Sequence, residues 1–373
     1  MVRKMKKAIV FLILILGVSN ITAAGKFKYS VSESIFYDSN IYLTNNNSIS
    51  SWISLTQLNA DYLSRIPDTA LSLGVGANVG YNAYTENSAK NNYCDAGLDV
   101  FLKNDFFNLK NKFIYTSEQA SNAFTERAER ISNEVSFNFK TKMEKMFSIG
   151  VVVSDVLDDY VKKEDELLNR NRFNAGLQFF YNISLKTSVF VEDVFSFIGY
   201  EKNSVNNSKE NSLALGIDGS ISPKIKGNVK VSYDKRDYEE NNAESASICG
   251  YSAQLVYEPT NTGSVTLTGK RKMEETTYDV NRYYIGTSAN LLLSKQIYRK
   301  FDTSLMFSYE NMMYPYGSYK REDNFYRIRP AITCMITKKL FSTLWYQFKT
   351  RQSNIEDMKY TDNMVGLNIK LSF

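Results

Sequence analysis

The chain has no histidine among its 373 residues, and only three cysteines and five prolines. Each shortage excludes something. Without an imidazole there is no Ser–His or Cys–His couple, so hydrolases that activate their nucleophile that way are excluded. Cys94, Cys249 and Cys334 are odd in number, far apart and without CxxC spacing, which gives neither a disulfide framework nor a zinc site. Cys249 and Cys334 fall within apolar faces, where cysteine acts as a small hydrophobe. Neither a metal nor a cofactor is expected. Long apolar runs are scarce too. The single one, Ala8 to Val18, is about half of the ~20 residues that a membrane helix needs. Arg3, Lys4, Lys6 and Lys7 precede it and Thr22, Ala23 and Ala24 follow, the pattern of a signal peptide over residues 1–24 cleaved near Ala24. That segment carries four of the 45 basic residues, leaving 41 against 40 acidic ones. The remainder is near neutral, and nucleic acid is not expected as a partner.

What is abundant is aromatic: 26 tyrosines and 23 phenylalanines. Segments of about ten residues alternate apolar with polar side chains, the repetitive signature of a transmembrane barrel. Val75, Ala77, Val79, Tyr81 and Ala83 make one such face; Phe173, Ala175, Leu177, Phe179 and Tyr181 make another. The final segment, Asn363 to Phe373, is apolar at Val365, Leu367, Ile369, Leu371 and Phe373, and ends in an aromatic ring. In a soluble sandwich such a segment would be an edge strand; in an outer-membrane barrel Phe373 would serve as the signal read by the assembly machinery. Eight tight connections, near Pro67, Asp105, Met143, Asn182, Pro223, Pro259, Ile297 and Lys338, alternate strictly with nine longer polar loops. They join 18 strands, or 16–18 allowing for boundaries. The expected fold is all-β: an antiparallel up-and-down transmembrane barrel over residues 25–373, in contact with outer-membrane lipid, with both termini periplasmic. Tyr37, Tyr62, Tyr81, Tyr84, Phe106, Phe107, Tyr298, Tyr314 and Tyr360 lie near strand ends and suit the two aromatic girdles.

A barrel of that size encloses a lumen, and function then falls to the side chains that line it. Strand parity turns Arg172, Lys230, Lys270, Arg327, Arg329, Lys349 and Lys370 inward, with Trp345 and Tyr284 beside them. A cation-lined pore favours anions, so an acidic solute or polymer is one expectation. The other is a charge ladder, because Glu192, Asp234 and Glu310 also turn inward. The acidic stretch 155–170 reads as a solvated loop without the ligand spacing of a calcium site.

The first hairpin, Val31 to Thr44 (VSESIFYDSNIYLT), resembles the outer-membrane β-barrel porins associated with exopolysaccharide export, in which an Asp-x-Asn turn follows the first strand. Asp38 and Asn40 are the matching positions. Leu71–Tyr84 is similar to that family's next strand, which ends in tyrosine. The resemblance implies passage or secretion of a polysaccharide across the outer membrane, with no catalytic residues to carry over; the barrel read more broadly is a porin-like channel for a polymer or small solutes. The alternative is a structural or adhesive barrel, plugged by its own loops and acting through its surface.

Overall fold

The computed structural model describes residues 25–67, 69–118, 127–142, 146–240, 245–276, 282–315 and 320–373. The expected signal peptide, residues 1–24, lies outside them. Period-two alternation of apolar and polar side chains gives 18 strands. The first six are β1 (Lys26–Asp38), β2 (Ser51–Arg65), β3 (Ser72–Tyr84), β4 (Tyr93–Lys103), β5 (Phe107–Glu118) and β6 (Ala128–Lys142). Next come β7 (Phe147–Tyr160), β8 (Arg170–Ser184), β9 (Thr187–Tyr200), β10 (Ser208–Ser222), β11 (Ile225–Tyr238) and β12 (Ala246–Thr260). The last are β13 (Gly263–Glu275), β14 (Tyr283–Tyr298), β15 (Phe301–Tyr314), β16 (Arg321–Met335), β17 (Leu340–Ser353) and β18 (Tyr360–Ser372).

Each strand pairs antiparallel with its sequence neighbour, and β18 pairs back onto β1 from Ser30↔Ser372 to Asp38↔Met364. Closure leaves no sheet edge, so the ladder can satisfy the backbone across a lipid layer. Seven of the eight tight connections fall within about three residues of the expected positions, and the eighth, at Met143, lies outside the described residues. Four have only two residues between strands: 185–186, 223–224, 261–262 and 299–300. Side chains cap these turns, as where Lys186 and Lys224 amides donate to Ser184 and Ser222 hydroxyls. Gly219, at φ +121°, lies where an added Cβ would be 1.9 Å from the Lys186 carbonyl oxygen. Only glycine tolerates that approach. Helix α1 (Ser88–Asn91) and three short 3₁₀ turns lie in the long loops at the opposite end.

The apolar faces point outward. Leu177, Phe179, Tyr181, Leu213, Leu215, Leu367 and Ile369 are all exposed on the outer wall, where lipid covers them. No helix among the described residues is long and apolar enough to cross a membrane. Pro330 sits inside β16, which the ladder tolerates by skipping two pairs. The β16–β17 pairing passes from Ile328↔Phe348 to Ala331↔Trp345, because proline has no N–H to donate.

Two clasps close the seam between the first and last strands. At the loop end the Ser39 hydroxyl donates to Asp362 at 3.0 Å and accepts from the Asn363 amide at 2.8 Å. Asn40 is 1% exposed; its amide N–H donates to Asp38 and its side chain donates to the Thr361 carbonyl. The Asp38–Asn40 turn is therefore a structural latch. At the turn end the rings of Tyr29 and Phe373 stack at 4.7 Å, with mutual backbone hydrogen bonds.

Two expectations need correction. Strand β7 runs to Tyr160, so Asp155, Asp158 and Asp159 belong to the wall, and only Glu164, Asp165 and Glu166 of that acidic group lie in the loop. Asp158 is 7% exposed and pairs with Arg130 and Arg170. No group of acidic or cysteine side chains suited to a metal ion occurs among the described residues. Tyr84, Tyr314 and Tyr360 are not girdle residues. They lie at strand ends, but their parity turns them inward: Tyr84 pairs with Ile53, and Tyr314 packs on inward-facing Tyr284. Tyr37, Tyr62 and Tyr81 do face outward.

The ladder opens twice, both times at the loop end. The β4–β5 pairing stops at Ala96↔Tyr115, and Arg127 fills the space beyond. Its guanidinium lies 3.9 Å from the Tyr93 ring centroid and donates to the Ser117 carbonyl at 2.9 Å. The β12–β13 pairing stops at Tyr251↔Arg271, although both strands continue. Met273 and Glu275 share the outward parity of Arg271, yet Met273 is 1% exposed and packs with Tyr283 on Ala246 and Ile248. Those two face the lumen, as their pairing with Arg236 and Asp234 shows. The loop end of the β13–β14 hairpin thus folds inward over β12.

Candidate functional site in the barrel lumen

The inner wall is built from the polar positions of the alternating strands. Strand parity places the eight singled-out side chains on the face opposite the exposed apolar one. The structure does not leave them equally free.

Arg172 on β8 binds Glu275 through Nη1 at 3.2 Å and Glu210 through Nη2 at 3.3 Å. Arg236 on β11 joins the same two carboxylates. It donates from Nε and Nη2 to Glu210 at 2.8 and 2.5 Å, and from Nη2 to Glu275 at 3.1 Å. Arg236 is 1% exposed, so this network is dry and holds the inward-folded β13 end to the inner wall at β8, β10 and β11. Neither Arg236 nor Glu275 stands out in the sequence. Glu275 reaches the network only because the hairpin end folds inward beyond the β12–β13 break, which brings its outward-parity face against the inner wall.

Three more of the expected pore cations are also paired. Lys230 donates to Glu192 at 2.6 Å and Lys270 to Glu274 at 2.7 Å. Lys349 lies 2.9 Å from Asp362, which is fully buried beside the Asp38 latch. Above it Arg321 and Arg351 both bind Asp323. On these arcs the interior is a charge ladder.

Further from the loop end on β16 and β18, beyond these pairs, the pattern differs. Arg327, Arg329 and Lys370 make no ion pair among the described residues, and Arg327 and Lys370 are exposed to the lumen. Arg329 lies over the Trp345 ring at 4.5 Å, a cation–π contact that restrains it. Trp345 is in turn held between Arg329 and Phe36, with ring centroids 5.6 Å apart, across Gly366. A Cβ at Gly366 would lie 2.5 Å from Phe36 Cβ and 2.7 Å from Trp345 Cζ2, so the glycine makes room for the ring. Glu310 on neighbouring β15 feels both Lys270 and Arg327 without pairing with either.

A closed antiparallel barrel with lipid-facing apolar strands around a charged lumen defines a porin-type outer-membrane protein. The family model described as "Putative beta-barrel porin 2" matches residues 23–373, and the chain belongs to that family. Its place is the outer membrane. Among solved structures, Pseudomonas aeruginosa OpdK with vanillate is 8% identical with a TM-score of 0.53, covering 93% of this chain and 99% of that one. Pseudomonas aeruginosa OccK11 (OpdR) is 12% identical with a TM-score of 0.51, covering 93% of this chain and 96% of that one. Acinetobacter baumannii OccAB3 is 9% identical at a TM-score of 0.50, covering 94% and 99%. At such identities the likeness shows the fold alone. No curated protein sequence matches the chain significantly.

Proposed function

We propose that the barrel is a channel for small solutes with a preference for anions. One observation carries this reading: Arg327, Arg329 and Lys370 line the lumen without an ion-pair partner among the described residues, while the rest of the named cations are paired. Uncompensated positive side chains along one wall lower the energy of an anion relative to a cation in the same pore. Passage of a polysaccharide, which the first hairpin implies, is the weaker reading. The inward β13–β14 end narrows the mouth, and Trp345, the one tryptophan turned inward, is 8% exposed and offers no sugar platform. A plugged barrel acting through its loops is the competing class, favoured by the same inward fold.

Single-channel recording of the refolded chain under a potassium chloride gradient separates these. Steady conductance with an anion-selective reversal potential is expected, and replacing Arg327, Arg329 and Lys370 together by glutamine should move it towards zero selectivity. A folded barrel that never conducts would sink the channel reading. Cation selectivity would sink the anion preference.

A further inference from the structure

We infer that Arg327 and Arg329 form a subsite for a solute carrying two carboxylates. This rests on the channel reading and names its solute class. The two residues are two apart on one strand and face the same way, so their Cα atoms are separated by about 6.6 Å. Two like charges at that spacing repel, and inside a protein wall the repulsion is screened less than in bulk water. Elsewhere in this lumen such pressure is relieved by a carboxylate: Arg172 and Arg236 share Glu210 and Glu275, and Arg321 and Arg351 share Asp323. At Arg327 and Arg329 no carboxylate among the described residues closes to ion-pair distance; Glu310 lies near enough to feel Arg327 but does not pair with it.

The pair is also arranged in advance. Trp345 holds the Arg329 guanidinium over its ring at 4.5 Å, and Gly366 and Phe36 hold Trp345. Arg329 is thus restrained, while Arg327 stands exposed beside it. A monoanion satisfies one guanidinium and leaves the other repelled. A dicarboxylate as long as extended succinate reaches both, and each carboxylate can accept a bidentate, charge-assisted hydrogen-bond pair.

The test is titration calorimetry on the barrel refolded in micelles, with succinate and propionate as probes, beside the reversal-potential measurement. Succinate should bind about ten-fold more tightly than propionate, and Arg327→Gln or Arg329→Gln should each abolish the difference. Heat-modifiable migration shows that each variant is folded. Equal affinity for the two probes, or a preference that survives both substitutions, would overturn the subsite. Inorganic phosphate binding as well as succinate would overturn the two-carboxylate specificity, since charge alone would then suffice. Anion selectivity without succinate preference removes the subsite and leaves the channel. Succinate preference in a barrel that never conducts removes the channel reading and leaves the subsite.

Discussion

Cutting Arg236 back to alanine tests whether the inward-folded β13 end is held by charge. The side chain is 1% exposed and makes three hydrogen bonds to Glu210 and Glu275. Without it, the ion-pair contacts left to the two carboxylates are those of Arg172, at 3.2–3.3 Å, with Arg170 and Lys272 adding a more distant field at Glu275. Removing one partner of a buried ion pair costs about 3–5 kcal/mol, because the remaining charge stays in a dry site. Arg172 still neutralises one of the two carboxylates, so the lower end of that range, about 3 kcal/mol, is expected. The loss is read from urea unfolding of the barrel in lipid vesicles. Freed from its anchor, the hairpin end should leave Ala246 and Ile248, and single-channel conductance should rise. Glu275→Gln keeps the volume and one hydrogen-bonding oxygen, and should cost less, about 1.5–3 kcal/mol. A stability loss below about 1 kcal/mol for Arg236→Ala, with unchanged conductance, would refute the idea that these ion pairs hold the mouth.

Two further perturbations probe the outer wall and the loops. Glu33 lies in the middle of β1 on the lipid-facing side, accepting from the Ser54 and Thr56 hydroxyls. Glu33→Val should stabilise the barrel in vesicles by about 1 kcal/mol, since charge on that face is unfavourable; a loss of stability would mean that the carboxylate serves a contact. The first and last loops are tethered where Asn45 donates to Glu356 at 2.9 Å. The Lys359 ammonium, and then Asn45, hold the Glu356 carboxyl below its ordinary value of 4.5. A depressed carboxylate contributes above its unfolded range and loses that contribution as pH falls through the lowered value. The Asn45 side-chain amide resonances should therefore titrate below pH 4.5; a midpoint at or above it would contradict the tether.

Much of the fold was legible because a strand repeats every two residues, so faces follow from spacing alone. That is why the 18 strands and the direction of Arg327 or Lys349 could be read directly, and most of the turns to within a few residues. Height along the barrel was legible as well, but height and face are separate questions. Tyr84, Tyr314 and Tyr360 show the difference: nearness to a loop placed them at the rim, and parity placed them inside it. Asp155, Asp158 and Asp159 were misread because β7 continues beyond the apolar band, where a polar strand and a loop look alike. The pairing of the lumen charges was not legible. Arg172 meets Glu275 across 103 positions of sequence, and Glu275 points inward only where the ladder opens. Nothing in the local pattern announces that break. Trp345 and Arg329 could be assigned to one face, but their contact needed the register of β16 against β17.

The seam between β1 and β18 has a consequence for assembly. In a barrel of alternating faces, a slip of two residues keeps every apolar side chain towards lipid and every polar one towards the lumen. The hydrophobic pattern therefore cannot tell the right closure from that wrong one. The two clasps can. A slipped seam would carry Ser39 away from Asp362 and Asn363 at one end, and would part Tyr29 from Phe373 at the other. The ends of the strands thus act as a proofreading device for a joint whose middle is blind to error.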